Sequence, residues 1–160
     1  MPDSPGTELP ILLLAGFRSL VEAALPLLSE RGHQDARPVH GSALRAIAAG
    51  ADTGSELAGR LGVSKQAAAK TIAVLQARGY VAREPDPQDS RRKHLQVTDH
   101  GFDLLRAVDA TFEQVRDAWS QVIGATELDE MQAHLVKLVG ADLPKLDTEA
   151  RIARDLSEPE

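Results

Sequence analysis

The chain has no cysteine. That excludes a disulfide framework, thiolate zinc sites and thiol-based redox sensing within its 160 residues. Aromatic residues are almost as scarce, at 3%. A core must therefore come from Leu, Val, Ile and Ala, and Leu and Ala favour helix. Long apolar runs are also missing. The longest, Ile11–Gly16, is far too short to span a bilayer. It follows an acidic, proline-bearing stretch, not the basic segment of a signal peptide. The expectation is a cytoplasmic protein with no membrane partner. No P-loop, paired-glycine fingerprint, His-Glu-x-x-His or nucleophile elbow is present. No catalytic residue, no cofactor and no enzyme activity are expected. His100 and Asp103 share a helix start, while His33, His40 and His134 are scattered. Without Cys, a metal site would need His and carboxylate ligands, so isolated surface histidines and no metal are expected.

What is present is an uneven charge. The net formal charge is −6, yet residues 60–94 carry eight basic side chains (Arg60, Lys65, Lys70, Arg78, Arg83, Arg91, Arg92, Lys93) against Glu84, Asp86 and Asp89. Residues 1–59 and 95–160 are both net acidic. A basic island in an acidic chain is an electrostatic footprint for a polyanion, although charge alone fits a solvated mixed face equally well.

The apolar pattern is helical over most of the chain. Thr7 is placed to cap a first helix through Leu9, Leu12, Phe17 and Leu25. Pro26 should kink or stop it near Leu25, because proline removes one backbone bond and clashes with the previous turn. A short helix fits Gly41–Ala49. Ser55 is placed to cap Glu56–Leu61, and Ser64 to cap Lys65–Arg78, with Gly79 as the left-handed stop. Tyr80–Glu84 and His94–Val97 read as strands around a Pro/Asp-rich turn. Thr98 starts a long helix to Ile123. Thr126 with Asp129 resembles a capping box for a last helix to Val139. The tail 141–160 is acidic, and reads as a weak terminal helix or a disordered end.

Within 65–78, Ala68, Ile72 and Leu75 share one face. Lys65, Gln66, Ala69, Lys70 and Ala73 occupy the other. Small residues there permit close approach to DNA. The lysines suit phosphates, and Gln66 suits a base edge. With helix 56–61 and the turn between them, this forms a helix-turn-helix. The hairpin that follows carries Arg91, Arg92 and Lys93 at its tip, with Asp89 able to brace the loop. Arginines on a narrow projecting loop suit the minor groove.

The segment "SELAGRLGVSKQAAAKTIAVLQARGYVAREPDPQDSRRKHLQVTDHG", Ser55–Gly101, resembles the winged helix-turn-helix of the MarR family of bacterial transcription regulators. The matching elements are the Leu-Gly-Val-Ser turn, Leu75, Gly79-Tyr80-Val81 with Arg83, Asp89-x-Arg91, and Leu-x-Val-Thr-x-x-Gly ending at Gly101. The resemblance implies a mainly α (α+β) fold and a homodimer on double-stranded DNA, acting as a repressor. Ser64, Lys65, Gln66, Ala69 and Lys70 would face the major groove. Asp89, Arg91, Arg92 and Lys93 would form the wing, with Arg91 in the minor groove. It also implies a small-molecule effector held between dimer and DNA lobes. His40 and Arg18 are candidates to line such a pocket, with no chemical ground for either.

Independently, Leu105, Val108, Phe112, Val115, Trp119 and Val122, then Leu128, Met131, Leu135 and Leu138, form heptad-like stripes. With Leu12 and Phe17 they exceed what a small wing domain can cover, so a second chain is expected over them. The expected organisation is an N-terminal helix (1–38), a DNA-binding domain (39–98), C-terminal dimerisation helices (99–140) and the tail. The rival reading is a helical interaction protein whose basic wing meets an acidic protein.

Overall fold

The structure is a computed structural model that describes residues 4–86, 88–89 and 93–140. Its elements are α1 (Pro5–Glu30), α2 (Pro38–Ala48), α3 (Gly54–Leu61), α4 (Lys65–Ala77), β1 (Val81–Pro85), β2 (Lys93–Val97), α5 (Asp99–Ile123) and α6 (Ala125–Val139). The fold is mainly α, with one antiparallel hairpin in which Val81 pairs with Val97 and Pro85 with Lys93. Pro85 sits at the end of an edge strand, where the missing N–H costs no ladder bond. The other edge of the hairpin is also engaged, since Leu95 N donates to Asp52 O at 2.8 Å.

Three local signals act as expected. Ser64 Oγ accepts from Ala67 N at 3.1 Å, Thr98 Oγ1 accepts from Gly101 N at 3.1 Å, and Gly79 turns the chain at φ +73°. Others act differently. α1 starts at Pro5 behind Ser4, and Thr7 lies inside the first turn, donating to Ser4 O at 2.9 Å. α2 starts at Pro38, before Gly41, because proline suits the first helical position. Thr53, not Ser55, caps α3 by accepting from Glu56 N at 3.2 Å. No side chain caps α6, since Thr126 lies in its first turn and Asp129 pairs with Arg116 of α5 instead.

Pro26 neither stops nor ends α1, which runs on to Glu30. Ala24 and Leu28 are buried on either side of it. That tertiary burial outweighs the one bond lost, and Arg31 N closes the last turn on Leu27 O and Leu28 O. The helix is longer and more apolar than the run Ile11–Gly16 suggests. By length and a mean hydropathy of 1.8 it meets the requirement for a membrane span, with only 11% of that window buried. In this fold it lies along α5, with Gly16 against the Trp119 ring.

The core joins α2, α3, α4, the hairpin and the start of α5 through Leu44, Ile47, Leu57, Leu61, Ile72, Leu75, Val81, Leu95 and Leu104. The buried face of α5 is Gly101, Leu104, Ala107, Thr111 and Val115. It is rotated from the expected stripe, so Leu105 and Val108 pack on its shoulder.

Candidate nucleic-acid interface

The helix-turn-helix is held from below. Gly62 takes the left-handed conformation (φ 62°), and Val63 N bonds back to Ala58 O at 3.1 Å. The turn therefore delivers α4 at a set angle to α3. Ala68, Ile72 and Leu75 anchor α4 in the core, each at most 2% exposed. The opposite face, with Ser64, Lys65, Gln66, Ala69 and Lys70, is exposed. Among the described residues, Lys65 and Lys70 have no ion-pair partner. Ser64 spends its hydroxyl on the cap while its position stays at the helix tip.

The basic island divides on folding. Arg60, itself exposed, donates to Ala49 O at 2.9 Å, closing the end of α2. Arg78 donates to Asp35 O at 2.6 Å and faces the Asp35 carboxylate at 3.9 Å. These two cations tie elements together. Lys65, Lys70, Arg83 and Lys93 remain exposed on α4 and the hairpin. Asp89 is exposed at the turn. Arg91 and Arg92 lie outside the described residues.

Two histidines expected at the surface are buried. His33 and His40 are each 5% exposed, the first in the α1–α2 loop and the second in the first turn of α2. His40 Nδ1 accepts from Arg37 N at 3.2 Å. Burial, then the Arg78 and Arg37 charges, lower its pKa to about 4, against the opposing pull of Asp35. His33 Nδ1 lies 2.9 Å from the Tyr80 hydroxyl. Burial, then neighbouring His100, hold the His33 pKa below its ordinary value, with Asp103 opposing. Burial pushes the Tyr80 phenol up, with Asp35 adding and Arg78 opposing. His100 stacks on Tyr80 with ring centroids 4.6 Å apart. No spacing in the sequence signals this cluster, whose members come from three separate segments. Among the described residues no group of three or more His, Cys, Asp or Glu is arranged to hold a metal.

Behind the interface is a cavity of about 300 Å³ between α1, α2 and α5. Phe17, Val21, Leu25, Leu28, Val108 and Phe112 form its apolar walls, and Arg37, Ser42 and Arg45 its polar side. Arg45 is ion-paired with Asp109. Neither Arg18 nor His40 lines it.

The proposed dimer residues fall into three groups by exposure. Val115 and Leu128 are already buried within one chain, at 3% and 5% exposure. Phe17, Trp119 and Leu135 are half-buried. Leu12, Phe112, Val122 and Met131 are exposed. They share the outer surface with Ile11, Leu13, Leu14, Ile123 and Leu138, which are also exposed.

Residues 36–92, which run from the α1–α2 loop through α4 to the wing, match the MarR family model. This segment is similar to the winged helix-turn-helix of the MarR family. MarR-family proteins are transcription regulators, not enzymes. The likeness in fold extends beyond the matched segment. A MarR-family transcriptional regulator from Rhodococcus sp. RHA1 superposes with a TM-score of 0.61 at 20% identity, covering 85% of this chain and 95% of that one. CouR from Rhodococcus jostii RHA1, solved with p-coumaroyl-CoA, gives 0.59 at 21% identity, covering 85% and 94%. A variant of S. aureus MepR, solved with an oligodeoxyribonucleotide, gives 0.57 at 20% identity, covering 81% and 94%. No curated protein matches the chain.

Proposed function

We propose that the chain is a homodimeric repressor that binds a roughly palindromic operator and is released by a small-molecule effector. The observation that carries the reading is the outward face of α4, where Lys65, Gln66, Ala69 and Lys70 stand exposed on a helix anchored through Ala68, Ile72 and Leu75. The side chains at the helix tip are short or flexible, so the helix can enter a major groove while Gln66 reaches a base edge. Lys65, Lys70 and Lys93 would meet phosphates. Arg91, matched to the arginine of the family's Asp-x-Arg, would enter the minor groove, with Asp89 bracing the wing.

A MepR variant bound to an oligonucleotide and CouR bound to an acyl-CoA, on the same fold, support DNA and a small molecule as the two ligands. The cavity lined by Phe17, Leu28, Val108 and Phe112 is our candidate effector site, because it lies where α1 and α5 meet α2. Residues 1–38 and 99–140 would form the dimerisation region. A second copy covers the exposed apolar faces of α1, α5 and α6, since contiguous apolar surface of this kind marks an interface. A bilayer is the poorer occupant, because α1 is packed along α5 as part of the fold.

The test is titration onto duplex DNA at several salt concentrations, followed by footprinting. Two protected half-sites about one helical turn apart, and affinity that falls steeply with salt, are expected. Binding indifferent to salt, or protection of one half-site only, would overturn the proposal. Absence of DNA binding would favour the acidic-protein partner.

A further inference from the structure

We propose that His33, Tyr80 and His100 form an acid-sensitive clasp that locks the DNA-binding lobe to the α1–α2 loop. Its effect on operator affinity rests on the DNA-binding reading above.

The geometry converges on Tyr80. This residue follows the end of α4 and opens the wing, so its position sets both DNA-facing elements. Its backbone N–H bonds to Leu75 O at 2.9 Å and its carbonyl accepts from Thr98 N at 3.1 Å. Gly101 packs so closely on that carbonyl that a Cβ would lie 2.2 Å from the oxygen. The recognition helix, the wing and the start of α5 thus meet at one residue. The α1–α2 loop, which continues the long helix α1, holds the same residue from the other side. His33 bonds the Tyr80 hydroxyl at 2.9 Å, and its ring lies 5.5 Å from His100 between centroids.

A proton on His33 strains this arrangement. The imidazolium would be buried, with His100 5.5 Å away, and with Asp103 as the one carboxylate that lowers its cost. The loop itself contributes Asp35, which is engaged by Arg78 of the α4 end. On the α2 side His40 is surrounded by Arg37 and Arg78, with Asp35 opposing. Arg37 and Arg78 are matched in number by Asp35 and Asp103, so no excess of carboxylate offsets the burial of the proton, and protonation favours an opened loop in which His33 regains water. The sign follows from linkage. The clasped state binds fewer protons, so clasping is full above the ordinary histidine pKa of about 6.5 and is lost as pH falls below it. An opened loop leaves α4 and the wing free to reorient relative to α1, which weakens binding by two lobes that must fit one duplex together.

The experiment has two arms. Without DNA, amide hydrogen exchange of residues 31–37, corrected for intrinsic pH dependence, is measured between pH 7.5 and 5.5 on the full chain. With DNA, operator affinity is measured over the same range at fixed salt for wild type, His33→Gln and Tyr80→Phe. Wild-type protection of 31–37 should drop several-fold at the acid end. The drop should vanish in His33→Gln, whose amide cannot take the proton. The ratio of wild-type to His33→Gln affinity should fall with acid in parallel. Tyr80→Phe keeps the ring stack and should still fold and still show the acid response, with a weaker loop at pH 7.5. Protection of 31–37 that does not change with pH in wild type overturns the clasp, whatever the DNA arm shows. Protection that changes while no DNA binds at any pH keeps the clasp and overturns the DNA reading instead.

Discussion

Gly101 and Gly59 offer a test of the packing argument, because the same substitution should have opposite effects at the two positions. Both lie in helices, where alanine is preferred to glycine by roughly 1 kcal/mol. At Gly59 of α3 an added Cβ meets nothing within 4 Å. Gly59→Ala should therefore stabilise by up to roughly 1 kcal/mol. At Gly101 the new Cβ would lie 2.2 Å from Tyr80 O and 2.7 Å from Val97 Cγ1. Valine can shift, but the carbonyl is held by Thr98 N at 3.1 Å and belongs to the wing's first residue. Relief requires moving the start of α5 away from Tyr80, with an overpacking cost of about 1–3 kcal/mol. Straining or losing the Thr98 bond adds about 1 kcal/mol more. After the helix-propensity gain, Gly101→Ala should lose roughly 1–3 kcal/mol. The assay is urea unfolding at one fixed protein concentration, since the stability of the proposed dimer would depend on concentration. Because Gly101 seats α5 on the end of the recognition helix, operator affinity should fall in Gly101→Ala and stay unchanged in Gly59→Ala. A Gly101→Ala protein as stable as wild type would refute the reasoning.

Leu12→Glu and Val122→Glu should dissociate the proposed dimer and leave folded monomers in light scattering and circular dichroism, since both side chains are exposed in one chain. Val115→Glu should instead unfold the chain, because it places an unpaired charge in a buried site. Lys65→Ala and Lys70→Ala should each flatten the salt dependence of DNA binding by about one phosphate contact. Gln66→Ala should cost roughly 1–3 kcal/mol at one base position. Arg91→Ala should cost more affinity than Arg92→Ala or Lys93→Ala in titrations at one salt concentration, and equal losses would reduce the wing to a diffuse basic patch. His40 is held neutral with a pKa near 4, so its contribution to stability is complete above pH 6.5 and is lost as pH falls towards 4. Thermal unfolding across that range should show the loss, and His40→Gln should reduce it.

The elements legible in the sequence were those whose physics is local. The caps made by Ser64 and Thr98 and the turn at Gly79 involve backbone groups within four residues, so these effects can be read without knowing the fold. The inward face of α4 was legible for a similar reason: Ala68, Ile72 and Leu75 are the only apolar stripe on a short helix with small and polar residues opposite. Residues whose role depends on distant segments were not legible. Pro26 was expected to kink or stop α1 near Leu25, but the helix runs on to Glu30, with Ala24 and Leu28 buried on either side of the proline. Eight basic residues read as one footprint, yet Arg60 and Arg78 are spent on backbone carbonyls of α2 and of the α1–α2 loop. On α5, apolar residues cover a broad arc, and only the placement of α1 and α2 decided that Leu104 and Thr111 are fully buried while Phe112 stays exposed. His33, Tyr80 and His100 are brought together from positions 47 and 20 residues apart in the chain. Periodicity and capping determine where helices lie and which side is apolar. Only tertiary packing decides which polar groups lose water and which cations remain free, because desolvation and ion pairing depend on neighbours that sequence distance does not specify.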